Sequence, residues 1–139
     1  MKVCIHQPNY LPWLGFFNKV NKSDTYVVFD DVQYPRGKDW ANRNNFYRKS
    51  EYFDVYYNDL EKFYTKDYVK LIDLNVDLIK YFCSKLDIDT NIVYSSKICG
   101  DKEFENGLDK ILYILETLNT TEYITGSGAG SERYILDEE

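Results

Sequence analysis

The sequence predicts an α/β layer fold with a mainly parallel sheet of about four strands and flanking helices. Short runs rich in β-branched and aromatic residues alternate with stretches of helical period. The first two such runs enclose one helix in under thirty residues, the spacing of a βαβ unit with parallel strands and a right-handed crossover. The chain of 139 residues is 44% apolar and 29% charged, the balance of a globular protein, so one domain over 1–139 with a real core is expected.

Taken in order, Val3 to His6 reads as a short buried strand. It meets a histidine and a proline too soon for Met1-Lys2-Val3-Cys4-Ile5 to open a signal peptide. Gln7 to Pro12 follows as a loop in which Pro8 and Pro12 fix φ and deny donors. Trp13 to Asn21 reads as a helix: Pro12 suits its first turn, and Leu14, Phe17 and Val20 give one apolar face with Phe16 beside it. Thr25 to Phe29 is a second strand. Asp30 to Asn45 is irregular, because Pro35 and Gly37 break any period.

From Phe46 to Leu86 the chain reads as mostly helical, with Tyr68, Leu71, Ile72, Ile79, Phe82 and Leu86 in a stripe and Asn75 as a polar residue within it. Ile92 to Tyr94 is a third strand ending at Ser95-Ser96. Phe104, Leu108, Ile111, Leu112, Leu115 and Leu118 mark a second amphipathic helix. Glu122 to Thr125 is a fourth strand, running into Gly126-Ser127-Gly128-Ala129-Gly130, and the acidic end Asp137-Glu138-Glu139 is expected to fray.

Composition excludes several classes. A net charge of -6 argues against a nucleic-acid partner and against docking on anionic lipid. No apolar stretch is long enough to span a membrane. Cys4, Cys83 and Cys99 are an odd, widely spaced set without zinc-knuckle spacing, which fits a reducing cytosol and a cytoplasmic protein. The fourteen tyrosines and eight phenylalanines fall mostly at helical spacing, as core and half-buried helix faces do.

The polar signals sit where such a fold places function. In open α/β sheets ligands bind beyond the carboxyl ends of strands, at a topological switch point. The strand ends deliver His6 with Gln7 and Asn9, Asp30 with Asp31 and then Gln33, Ser95 with Ser96, and Gly126 with Ser127 and Gly128. His6 is the only histidine, so general acid–base chemistry by a histidine rests on it. Asp30 is a candidate hydroxyl or metal partner or proton acceptor, since paired carboxylates can also hold a divalent ion through oxygen ligands. Successive strand residues point to opposite faces, so one of Asp30 and Asp31 is expected to face the crevice. In Trp40-Ala41-Asn42-Arg43-Asn44, Arg43 suits a bidentate clamp on phosphate or carboxylate, Lys38 a second point charge, Trp40 a stacking face, and Asn42 and Asn44 hydrogen bonds to ligand. Structural roles stay open beside each: a backbone-satisfying His6, an Asx turn at Asp30-Asp31, an ordered loop capping a helix through Asn44 or Asn45, and a plain turn at Gly126. No Ser-His-Asp order or nucleophile elbow is present, and Cys83 in a core stripe is a poor nucleophile. No metal is assigned, and the cofactor is unknown.

Met1 to Phe17 with its His6-Gln7-Pro8-Asn9-Tyr10-Leu11-Pro12-Trp13-Leu14-Gly15-Phe16 run, then Phe29-Asp30-Asp31-Val32-Gln33 and Trp40-Ala41-Asn42-Arg43-Asn44, closely resemble the WbqC-like family. The similarity continues through Tyr52-Phe53, Leu74-Asn75, Ser95-Ser96 and Tyr123-Ile124-Thr125-Gly126. The resemblance implies a protein of bacterial surface-polysaccharide (O-antigen) gene clusters, with transfer of glycine onto a sugar as the suggested activity. The chain departs from the family pattern by a shortened segment after Asn44 and by ending soon after the glycine-rich turn. Strand, proline-rich loop, Trp13-Leu14-Gly15-Phe16, helix and strand also resemble the opening of the HxGH nucleotidyltransferases. That implies a Rossmann-like fold, but aromatics stand at both histidine positions and cannot stabilise a transferring phosphoryl group.

The expectation is a transferase acting on an activated or nucleotide-linked sugar, with aminoacyl (glycine) transfer to an amino sugar as its finer form. The alternative is a non-catalytic nucleotide- or sugar-binding or assembly subunit. The partner is a small molecule, a nucleotide-sugar or activated amino acid, and assembly as a homo-oligomer stays open.

Overall fold

The computed structural model describes residues 1–33 and 52–126. The elements in chain order are β1 (Lys2–His6), α1 (Leu14–Asn21), β2 (Thr25–Val28), α2 (Phe53–Tyr64), α3 (Leu71–Lys85), β3 (Asn91–Tyr94), α4 (Ser95–Cys99), α5 (Gly107–Thr117) and β4 (Glu122–Tyr123). The chain falls into two compact units. Among the described residues, 1–7, 13–32 and 88–126 form the first, and 8–12, 33 and 52–87 form the second.

The first unit is a four-stranded sheet in the order β3-β2-β1-β4, with every neighbouring pair parallel. This is the α/β, Rossmann-like arrangement that the alternation of elements predicts. Val3 pairs with Thr25 and His6 with Val28, while Thr25 pairs with Asn91 and Val28 with Tyr94. The carboxyl ends of these three strands are therefore level. All four residues of β2 are buried, which is why it reads as a continuous apolar run rather than an alternating one.

Val3, Ile5 and Val27 form a core with Cys99, Ile111 and Ile114, and Val93, Leu115 and Tyr123 pack against it. On α1 the buried residues are Phe16, Phe17 and Val20. Leu14, expected on that face, is 73% exposed, because it lies about 100° around the helix from the face's centre. Phe16 packs edge-on against Tyr26 of β2, with ring centroids 5.5 Å apart. The helix predicted from Phe104 starts at Gly107. Asn106 caps it, its side-chain oxygen accepting the Leu108 and Asp109 N–H groups at 2.8 and 3.0 Å. Ser95 and Ser96, read as the end of a strand, open α4 instead.

In the second unit the stretch read as mostly helical holds two helices, α2 and α3, among the described residues. The Thr65 hydroxyl donates to the Glu61 and Lys62 carbonyls at the end of α2, and Lys70 is extended before α3 begins. Asp77 accepts from Lys66 at 2.7 Å and from Tyr68 at 2.9 Å across that break. The buried residues of α3 are Asn75, Val76, Leu78, Ile79 and Cys83. Leu71 and Leu86 of the expected stripe are 52% and 45% exposed, since one opens the helix and the other lies just past its end.

Asn75 is fully buried, and its amide donates to the Pro8 carbonyl at 2.8 Å. That bond supplies a donor to a loop whose prolines offer none. Replacing Asn75 with alanine strands the Pro8 carbonyl and leaves a small void. We expect a loss of about 2 kcal/mol in a urea denaturation experiment. No helix among the described residues is long and apolar enough to cross a membrane.

Candidate functional site

The chain builds β1, β2 and β3 outward in one direction and then places β4 on the other side of β1. The reversal lies between β1 and β4, and at such a switch point a crevice is expected beyond their carboxyl ends. His6 closes β1 at this edge. β4 ends lower on β1, where Tyr123 pairs with Val3 and the Ile124 N–H donates to the Val3 carbonyl at 2.8 Å, before the chain runs on to an exposed Gly126.

His6 is held from both sides of its backbone. Its carbonyl accepts the Phe29 N–H at 3.0 Å and the Tyr26 hydroxyl at 3.2 Å. The half-buried imidazole meets Phe16 of α1 edge-on, with centroids 5.5 Å apart. Its Nδ1 lies 2.8 Å from the Gln7 carbonyl. A carbonyl only accepts, so Nδ1 carries the proton in the neutral ring and Nε2 is the basic nitrogen.

One strand over, Asp30 and Asp31 meet the start of α4. Asp30 accepts the Ser96 N–H at 2.8 Å, the Ser95 hydroxyl at 2.9 Å and the Ser96 hydroxyl at 2.5 Å, while its own N–H donates to Ser95 Oγ at 3.2 Å. The single Ser95 hydroxyl proton is shared between Asp30 and Asp31. Both carboxylates therefore turn to Ser95 at the start of α4. Asp30 and Asp31 lie past the last paired residue of β2, so the alternation of a strand no longer governs them.

Lys110 of α5 completes this network. Its ammonium lies 2.5 Å from Asp31, and its side chain is only 11% exposed. The Phe29 ring stands near it, its centroid 5.4 Å from the ammonium. Burial alone raises the Asp31 carboxyl. The hydrogen bonds from Lys110 and Ser95 and the charge of Lys110 outweigh it and hold the carboxyl below its ordinary range. Burial pushes the nearby Cys99 thiol upward, leaving it a poor nucleophile. Beside the ion pair an open pocket of about 490 Å³ is lined by Asp31, Lys102, Glu103, Phe104, Asn106 and Lys110 among others.

Lys110 and its neighbours were missed in the sequence, although a signal exists. Lys110 lies one turn before Ile114 on the buried face of α5, and a lysine on such a face calls for an acid to meet it.

The structure thus gathers His6, Gln7, Asp30, Asp31, Ser95 and Ser96 along one edge of the sheet in the first unit, with Gly126 beyond β4. Asn9 is buried, and Gln33 is exposed; both belong to the second unit. Lys38, Trp40, Asn42, Arg43, Asn44, Ser127 and Gly128 lie outside the described residues. Among the described residues no three histidine, cysteine or carboxylate side chains are grouped to hold a metal ion.

Chemically, the edge offers a proton acceptor on a fixed tautomer at His6 and, beside it, a wall of carboxylates, hydroxyls and an ammonium bound to one another. Fold and site together define a Rossmann-like α/β protein with polar groups collected at the carboxyl edge of a parallel sheet. The model of the WbqC-like protein family matches residues 7–46 and 44–139, and the chain belongs to this family. It is similar to the uncharacterized protein Rv1507c of Mycobacterium tuberculosis (strain ATCC 25618 / H37Rv), at 25% identity over 185 residues covering 99% of this chain and 78% of that protein. That matched stretch exceeds this chain's 139 residues, so the relative carries an added internal length. The two family blocks meet at 44–46, where the sequence places the shortened segment. No solved structure matches the chain.

Proposed function

We propose that this protein is a cytoplasmic transferase acting on an activated or nucleotide-linked sugar in bacterial surface-polysaccharide (O-antigen) assembly. Its finer form is aminoacyl, glycine, transfer to an amino sugar. The observation that carries the reading is the position of His6. It is an imidazole of fixed tautomer, at the carboxyl end of a strand that borders the switch point of a parallel sheet. In the transfer, Nε2 takes the proton from the attacking amine or hydroxyl. The new bond forms to the transferred group as the bond to its activating group breaks. Family membership supports the sugar setting.

Asp30 has a supporting place in this scheme. Its two oxygens receive the Ser95 and Ser96 hydroxyls and the Ser96 N–H, so it fixes the start of α4 beside the edge. That saturation also favours the second reading, a nucleotide- or sugar-binding subunit without chemistry, because it leaves His6 as the remaining proton carrier of the two proposed catalytic groups.

The test is incubation with a panel of nucleotide-linked amino sugars and a glycyl thioester, with products read by mass spectrometry. The transferase reading expects a glycyl-sugar product. Binding of a panel member by calorimetry with no product supports the second reading. A product formed equally by His6→Ala removes the mechanism.

A further inference from the structure

We propose that Trp13 forms a stacking subsite for the flat ring of the ligand, a nucleobase or a pyranose. This rests on the reading that the carboxyl edge at His6 is a ligand site. Trp13 immediately precedes α1, and its carbonyl accepts the Phe16 N–H at 2.9 Å. Its side chain makes no capping hydrogen bond. The indole instead folds forward over Gly15. A Cβ added at Gly15 would collide with the indole Nε1 and crowd Cδ1, so only glycine leaves room for this pose.

The ring is not spent on the core. Trp13 is 55% exposed, and Leu14 beside it is 73% exposed. A large aromatic braced by the backbone and open to solvent is a preformed platform, with little side-chain entropy left to lose when a ring settles on it. Its location ties it to the proposed chemistry. Helix α1 follows β1 and precedes the parallel β2, so it begins at the carboxyl edge of the sheet. One turn on from Trp13, Phe16 touches the His6 imidazole. A single rigid turn therefore carries both the platform and the contact that orients the proton acceptor.

The chemistry selects a ring with an apolar face. Stacking on an aromatic is tolerant of ring identity, which suits either half of a nucleotide-linked sugar.

Calorimetry on the full chain tests this with three sets of probes: a panel of nucleotide-linked sugars, the matching nucleoside diphosphates, and the free sugars. Trp13→Ala is expected to weaken binding of the best probe about ten- to hundredfold, with Trp13→Phe retaining most of it. The melting temperature of Trp13→Ala stays near that of the parent, since more than half of the residue is exposed. Gly15→Ala displaces the indole and weakens binding with the ring still present.

Loss of affinity with the diphosphates assigns the base to Trp13; loss with the free sugars assigns the sugar. Unchanged affinity in Trp13→Ala overturns the subsite and leaves the functional reading standing. A parent protein that binds no probe overturns that reading, and the subsite with it.

Discussion

Replacing Lys110 with alanine is expected to lower stability by about 3 kcal/mol, a fall in melting temperature of about 10 °C. The ammonium is buried against Asp31 at 2.5 Å. Removing it leaves a carboxylate that already receives the Ser95 hydroxyl with no countercharge. The figure stands at the lower end of the range for a buried pair because the Asp31 side chain keeps 29% of its exposure. Calorimetric melting of the single variants and of Asp31→Asn/Lys110→Met separates the cost of an orphaned charge from the worth of the pair. The double variant recovers a large part of the loss.

The same pair sets a pH dependence. The folded protein holds Asp31 below its ordinary value. Its contribution to stability is therefore complete above the unfolded carboxylate value of about 4. It is lost as pH falls through the lower, folded value. In Lys110→Ala that acid loss begins at higher pH. An acid limb unchanged between parent and Lys110→Ala contradicts the pairing.

The second large effect falls on turnover. His6→Ala is expected to reduce transfer about 10²- to 10⁴-fold, the range a positioned general base supplies. Substrate affinity changes far less, and the fold survives, because the residue 6 carbonyl keeps its bonds from Phe29 and Tyr26 when the imidazole's contacts with Gln7 and Phe16 are lost. Single-turnover rates beside calorimetric affinities distinguish this from a binding role, in which affinity falls and the rate constant does not.

Asp30 gives a useful contrast. Asp30→Asn keeps the shape but weakens acceptance of three bonds at the start of α4. It is expected to lower stability and transfer together.

Much of this was legible in the sequence because local chemistry and fold point the same way. The β-branched runs at Val3 and Thr25 around a short amphipathic helix force a βαβ unit, and the polar residues that end those runs must emerge at one edge. His6, Asp30 and Asp31 lie there for that reason, and Ser95 and Ser96 because β3 adds in parallel with its end level with that of β2. The less legible features depend on tertiary context.

Lys110 reads as surface charge until the acid it meets is brought across from β2. The start of α4 at Ser95 is fixed by Asp30, sixty-five residues earlier. Asn75 in an apolar stripe is explained by the Pro8 carbonyl, a partner no periodicity reveals. The exposed Leu14 and Leu71 both lie in the first turns of helices, where an apolar residue can match the period without sharing the buried face.

On the proposed function, ligand binds beyond the carboxyl ends of β1 and β4 with His6 at the reacting atoms. The most direct measurement is a crystal structure of the His6→Gln variant bound to the best nucleotide-linked sugar from the calorimetric panel. We expect density over the carboxyl edge, with an amine or hydroxyl of the sugar within hydrogen-bond distance of residue 6 and a ring resting on Trp13. Ligand density seated at any other part of the molecule, with residue 6 facing empty solvent, contradicts the account.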